Sequence, residues 1–215
     1  VIPFAVFFGV IAGFFGGRVD DAIQYIYTTL SSIPDVLLIV AFMLLFGMEG
    51  YQGGVVMESD TFLKIFVLNE RLFWLCVIMG ITSWTGLCRL LRGETLKLRE
   101  LEYVQASRAF GVGRLRVLVR HIVPNVMHLV LITAVLQFSG LVLAEAVLSY
   151  IGIGVGAEMG SWGNMINNAR LELSREPVVW WNLFAAFIFM FALVLPANIF
   201  GDAVRDALDP KLRTK

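Results

Sequence analysis

The stretch from Leu90 to Pro124 constrains the fold most, because it is polar and basic in a chain otherwise apolar enough to dissolve in a bilayer. It reads LLRGETLKLRELEYVQASRAFGVGRLRVLVRHIVP. Counted with Arg89 it holds eight of the chain's 17 Lys and Arg, namely Arg89, Arg92, Lys97, Arg99, Arg108, Arg114, Arg116 and Arg120. Only Glu94, Glu100 and Glu102 oppose them. A polar segment of this length between apolar spans must lie in water, and its positive excess places that water on the cytoplasmic side.

Glu94 to Phe110 has no Gly or Pro and is rich in good helix formers, so one helix is expected there. Tyr103, Ala106, Ser107 and Phe110 fall at i, i+3, i+4 and i+7 and share a face. Aromatic residues at both ends with small residues between suit docking into a groove on another protein. Gly111 is expected to end that helix, and a second basic helix, roughly 113 to 121, runs on to Pro124. The spacing fits equally a solvated basic loop that only sets topology.

Hydrophobic residues make up 58% of the chain and charged ones 16%, against about 25% in a soluble domain. The zero net charge is uninformative, since it is the distribution of charge along the chain that matters. Cys76 and Cys88 lie in one apolar span, about 18 Å apart along a helix, too far for a disulfide. They read as small buried hydrophobes. The chain starts at Val1 inside an apolar run, without the basic start or cleavage site of a signal peptide. It is expected to be truncated, with a span missing upstream.

Five spans are legible: 1–15, short against the roughly 20 residues of a full crossing; 22–48, interrupted near Pro34; 72–91; 126–144; and 177–201, entered through Trp180 and Trp181. Residues 18–21 read as a brief polar turn. The 49–71 loop carries a possible surface helix over 59–68. The Gly-rich run from Ser149 to Gly160 reads as a flexible turn. Ser161 can cap a helix through about Ser174, with Trp162, Met165, Ile166, Ala169 and Leu173 as an apolar stripe along the membrane surface. With 17–32, 89–125 and the C-terminal 201–215 inside, 13 Lys and Arg lie inside against four outside. Asp35 and Glu145 are the acids at or near membrane depth, and an acid there is a candidate for gating or substrate contact. Both sit near span ends, which equally fits a helix cap or a packing hydrogen bond.

Some chemistry is absent from the sequence. There is no Gly-rich loop ending in Gly-Lys-Ser/Thr to cradle a nucleotide. His121 and His128 lack partners at metal-ligand spacing, and no nucleophile sits in an elbow motif. The chain is therefore expected not to be an enzyme and to bind no cofactor or metal itself. A gradient or an energising partner must supply the work of any transport.

The run Glu102-Tyr103-Val104-Gln105-Ala106-Ser107-Arg108-Ala109-Phe110-Gly111, followed by Arg120-His121-Ile122-Val123-Pro124-Asn125, resembles the cytoplasmic "EAA" loop of binding-protein-dependent ABC transporter permeases. Gly111 and Pro124 have the motif's separation. Gln105 stands where the motif has Glu, Ser107 where it has Ala, His121 where it has Ile and Val123 where it has Leu. Phe15 to Asp20 resembles the family's "YFGGWVD", and Leu143 to Gly154 is similar to its "EAxLSFLGLG". Ser161 to Met165 and Gly201 to Pro210 also match, which points to the dipeptide, oligopeptide and nickel group and its second permease subunit.

The resemblance implies an all-α polytopic fold, the type I ABC importer membrane domain, over the whole of 1–215, with six spans in the family. Its coupling loop would be 92–125. It implies a heterodimer with a second permease subunit, two ATP-binding subunits beneath and an extracytoplasmic solute-binding protein above, all in the lipid of the bacterial inner membrane; no nucleic acid is expected. ATP would sit on the partner subunits. Glu102, Tyr103, Gln105, Ala106, Ser107, Ala109, Phe110, Gly111 and Pro124 would form the ATPase-coupling element. The substrate could be a peptide, a nickel chelate or a related solute. The rivals are an ion-coupled secondary transporter, which would show inverted repeats and broken helices at the midplane, and a non-transporting membrane scaffold.

Overall fold

The computed structural model describes residues 1–46, 70–157 and 159–208, and among these every regular element is helical. In chain order they are α1 (Ile2–Phe15), α2 (Gly17–Ser31), α3 (Asp35–Phe46), α4 (Glu70–Thr82), α5 (Trp84–Leu98), α6 (Glu102–Ala109), α7 (Arg114–Val117), a π-helical turn (Leu118–Ile122), α8 (Val123–Tyr150), α9 (Trp162–Glu172) and α10 (Trp181–Leu208). The expected surface helix over 59–68, the rest of the loop before Glu70, and Lys211, Arg213 and Lys215 of the tail lie outside the described residues.

Three of the described helical runs are long and apolar enough to cross a membrane: Leu72–Leu98, Arg114–Tyr150 and Trp181–Ala207. α2 and α3 are apolar enough for a fourth only if taken as one span, and they are bent by 84° at the break where the sequence places Pro34. The apolar α1 is 14 residues long and falls short of a crossing by itself. Phe184, Phe187, Phe189 and Phe191 of α10 are exposed, which suits a surface bathed in acyl chains.

The described residues fall into two compact units. The first comprises, of the described residues, 1–33, 82–137 and 199–208. Its core joins Ala5, Val10 and Phe14 of α1 to Leu87 and Leu91 of α5, and takes in Ile23, Val104, Val117 and Ile122. α1 and α5 approach closely because Ala5, Gly9 and Gly13 make a stripe of small residues, the device that lets membrane helices touch backbone to backbone. A Cβ on Gly9 would lie 2.8 Å from the Cys88 carbonyl oxygen, and one on Gly13 only 2.6 Å from Thr95 Cβ.

The second unit comprises, of the described residues, 34–46, 70–81, 138–157 and 159–198. Ile39 and Met43 of α3, Leu75, Ile78 and Met79 of α4, Leu148 of α8 and Val155 form its core. Ser161 caps α9 as expected, accepting the Asn164 amide at 3.1 Å.

Several expectations are corrected. Residues 18–21 are not a turn but the beginning of α2, because Gly16 at φ 66° has already reversed the chain and Asp20 suits a helix N-terminus. Cys88 is buried but Cys76 is exposed. α9 is packed through Gly163, Asn164 and Ala169, a contact the spacing did not show, while Met165 and Leu173 of the expected apolar stripe stay exposed, which does not contradict a helix along the membrane surface. The packing on α8 is close: a Cβ on Gly163 would lie 2.2 Å from the Ala146 carbonyl oxygen.

Candidate functional site

The basic segment is two helices rather than one over Glu94–Phe110. α5 continues the third span to Leu98, so Arg89, Arg92 and Lys97 ride on that helix. The chain then breaks at Arg99–Leu101, where Glu100 and Leu101 close short turns onto Lys97 and Leu98. Leu101 is extended (φ −69°, ψ 141°), and α6 begins at Glu102. The break is fixed by contacts that residue spacing does not show. Gln105 Nε2 donates to the Glu100 carbonyl at 3.0 Å, and Arg99 Nη1 donates to the Gly13 carbonyl at 3.2 Å.

α6 is eight residues long and is held from one side. Val104 is fully buried in the first unit's core. Glu102 in its first turn and Arg108 in its last both favour the helix dipole. The far end is closed by Gly111 at φ 79°. There Val112 N–H donates to the Ser107 carbonyl at 3.1 Å and Gly111 N–H to the Arg108 carbonyl at 3.0 Å, the paired bonds of a Schellman cap.

The other side of α6 is open. Tyr103 and Phe110 are exposed, Phe110 to 87%, and Gln105, Ala106 and Ala109 are exposed with them. Ser107 is half-buried and donates back to the Tyr103 carbonyl at 2.8 Å, so the presented face is Tyr103, Ala106 and Phe110. Leu115 and Val119, just beyond, are exposed too. Large apolar side chains exposed together on a polar segment make this face a candidate interaction surface.

Pro124 does not close the segment. Helix runs through it from Arg114 to Tyr150, because the π-helical turn at Leu118–Ile122 precedes the proline and Val123 N–H reaches back to the Leu118 carbonyl. A widened turn accommodates a ring that lacks a donor and crowds the preceding carbonyl.

The two acids lie elsewhere, in the second unit. Asp35 is exposed in the first turn of α3, a placement that suits the helix dipole. Glu145 lies within α8 and accepts the Ser149 hydroxyl at 2.7 Å. Ser149 Oγ in turn accepts the Val155 amide at 3.2 Å, while Gly152 closes α8 with the same pair of bonds as Gly111. A Cβ on Gly154 would lie 2.2 Å from Ser149 Oγ. The Gly-rich stretch read as flexible is thus a specified turn. Glu145 also lines an open cleft of about 390 Å³ with Leu72, Val155, Met159, Ser161, Trp162 and Met165. Among the described residues no group of three His, Cys, Asp or Glu is placed to hold a metal ion.

Sequence spacing missed the ion pair between Asp20 and Arg92, 72 residues apart, at 2.5 and 2.6 Å. The one signal for it was an acid just after an apolar stretch, in the "YFGGWVD"-like motif.

Apolar helices of spanning length, joined by a polar segment with one open face, fit a polytopic α-helical membrane protein. The chain belongs to the family of binding-protein-dependent transport system inner membrane components, whose pattern matches residues 5–214. It is similar to the oligopeptide transport system permease protein OppC of Bacillus subtilis (strain 168), 36% identical over 97% of this chain and 60% of that protein. The protein of that name from Haemophilus influenzae is 32% identical over 99% of this chain and 60% of its own length. The dipeptide transport system permease protein DppC of Bacillus subtilis is 31% identical over 97% of this chain and 58% of its own. The chain thus spans less than two thirds of the length of these relatives.

Proposed function

We propose that this chain, over 1–215, is the membrane-spanning permease subunit of an ATP-driven importer of di- or oligopeptides. It pairs with a second permease subunit, stands on two ATP-binding subunits and receives substrate from an extracytoplasmic binding protein. It is not itself an enzyme, because ATP is hydrolysed on the partners. The segment 92–125 and the C-terminus face the cytoplasm.

One observation carries this reading: α6 is a short, rigidly capped helix between two spans, with Tyr103, Ala106 and Phe110 exposed and Val104 buried behind them. A loop that only set topology would need neither the buried anchor nor the cap. In this proposal Glu102, Gln105, Ser107, Ala109, Gly111 and Pro124 shape and position the face, and a groove on the ATP-binding subunit receives it. Closure of the ATP-binding subunits moves α6, and the spans follow. Peptide is the favoured substrate class because the relatives are named for oligopeptide and dipeptide transport. The test is uptake of labelled peptides into proteoliposomes holding all subunits. Uptake that needs internal ATP and survives collapse of ion gradients supports the reading; uptake driven by a gradient without ATP replaces it with secondary transport.

A further inference from the structure

Four of the eight basic residues of the segment contact α1 or α2, Arg92 and Arg99 from half-buried positions and Arg89 and Arg108 from exposed ones. Arg92 Nε and Nη2 donate to Asp20 Oδ1 and Oδ2 at 2.5 and 2.6 Å, and Asp20 is only 9% exposed. Arg99 Nη1 donates to the Gly13 carbonyl at 3.2 Å, in the last turn of α1, where carbonyls lack helical partners. The Arg108 guanidinium lies 4.6 Å from the centroid of the Phe14 ring, and that of Arg89 lies 5.3 Å from the centroid of Tyr27. The corner between α1 and α2 is therefore gripped in succession from α5, from the break and from α6.

The geometry points to Asp20, Arg92 and Arg99 as positioning residues that carry displacement of α6 into α1 and α2. The inference rests on the proposed function, in which a docked α6 moves. Helix is interrupted at Arg99–Leu101, so α6 is not a rigid extension of α5 and needs another route to the spans. Arg108 reaches Phe14 of α1 from α6 itself, and Arg99 in the break and Arg92 at the end of α5 continue the grip onto Gly13 and Asp20. A two-pronged guanidinium–carboxylate pair fixes direction as well as distance. A largely buried ion pair is a weak source of stability, and the best-attested use of such pairs is to specify one arrangement. Asp20 faces Arg92 alone at bidentate range, with Gln24 accepting from Arg92 at 3.3 Å alongside.

The experiment uses the complete complex in proteoliposomes and reads ATP hydrolysed per molecule of a radiolabelled tripeptide imported. The variants are Arg92→Lys, which keeps the charge but cannot bridge both carboxylate oxygens, and Arg99→Gln. The expected result is normal co-purification of the ATP-binding subunits, continued hydrolysis, and an ATP cost per peptide raised about tenfold, within the usual range of coupling effects. Assembled variants with the wild-type ratio would overturn the inference. So would loss of the ATP-binding subunits, which would mean that these contacts only shape α6 for docking. Should Arg92→Lys fail to assemble, Arg99→Gln decides alone, because Arg99 bonds only the Gly13 carbonyl and the exposed carboxylate of Glu100, at 2.9 Å, and no buried charge is orphaned. A wild-type complex that imports nothing with ATP would instead overturn the proposed function beneath it.

Discussion

The Tyr103 hydroxyl accepts a hydrogen bond from Asn125 Nδ2 at 2.9 Å, and that nitrogen also donates to the His121 carbonyl at 2.6 Å. The start of α6 is thereby tied to the first turn of α8, where Pro124 removes a backbone donor. The Tyr103 ring also packs edge-on to His121, with centroids 6.1 Å apart. Tyr103→Phe keeps the ring contact and should cost about 0.5–1.5 kcal/mol, the net worth of an ordinary hydrogen bond. In thermal unfolding of the purified permease, Tyr103→Phe should add no further loss to Asn125→Ala if the two share one interaction. Additive losses would show that they act separately.

Gly13 and Gly86 should respond in opposite ways to the same change. Alanine at 13 would drive a Cβ to 2.6 Å from Thr95 Cβ and 2.7 Å from the Arg92 carbonyl oxygen, so α1 must move off α5. Alanine at 86 meets nothing within 4 Å. Overpacking commonly costs about 1–3 kcal/mol, so Gly13→Ala should lower the unfolding midpoint clearly. Gly86→Ala should leave it unchanged or raise it, since alanine is the better helix former.

Glu145 is read as a structural acid that holds Ser149, and through it the turn to Val155. Glu145→Gln keeps an acceptor oxygen and should retain at least partial transport. Glu145→Ala leaves the Ser149 hydroxyl without that acceptor and should raise proteolytic cleavage between Ile151 and Gly160. Complete loss of transport in a fully assembled Glu145→Gln complex would assign the charge itself a gating or substrate role.

Local signals made part of this structure legible. Pro34 marked the break between α2 and α3, Ser161 the start of α9, and Gly111 the end of α6, because each acts through its own backbone or its near neighbours. The spacing of Tyr103, Ala106 and Phe110 gave the exposed face. The break at Arg99–Leu101 was hidden because no glycine or proline makes it; Arg99 reaches 86 residues back to Gly13. The pairing of Asp20 with Arg92 was equally beyond periodicity. Helix was not expected to run on through Pro124, since a π-helical turn leaves no composition signal. The Gly-rich run after Ser149 looked loose because its glycines serve close packing and a cap, which composition alone does not separate from flexibility.

Gly111 offers a test of the cap itself. Its φ of 79° lies in the left-handed region and a Cβ there would meet nothing within 4 Å, so any penalty comes from the backbone alone. Gly111→Val should cost about 1–2 kcal/mol or more and weaken coupling of ATP hydrolysis to uptake. Gly111→Asn should be milder, because asparagine tolerates this conformation. Equal behaviour of the two variants in substrate-stimulated hydrolysis would contradict the cap's role.

The proposed mechanism requires that the energising subunits bind the open face of α6. Ala106 is small, exposed and central between Tyr103 and Phe110. An aspartate there leaves the fold of this chain untouched but would be buried unpaired in a groove, at a cost of several kcal/mol. The direct measurement is co-purification of the ATP-binding subunits with the membrane-inserted Ala106→Asp permease. Loss of those subunits, with the partner permease still bound, is the predicted result. Full retention of the ATP-binding subunits with wild-type transport would make the segment a solvated basic loop and contradict the account.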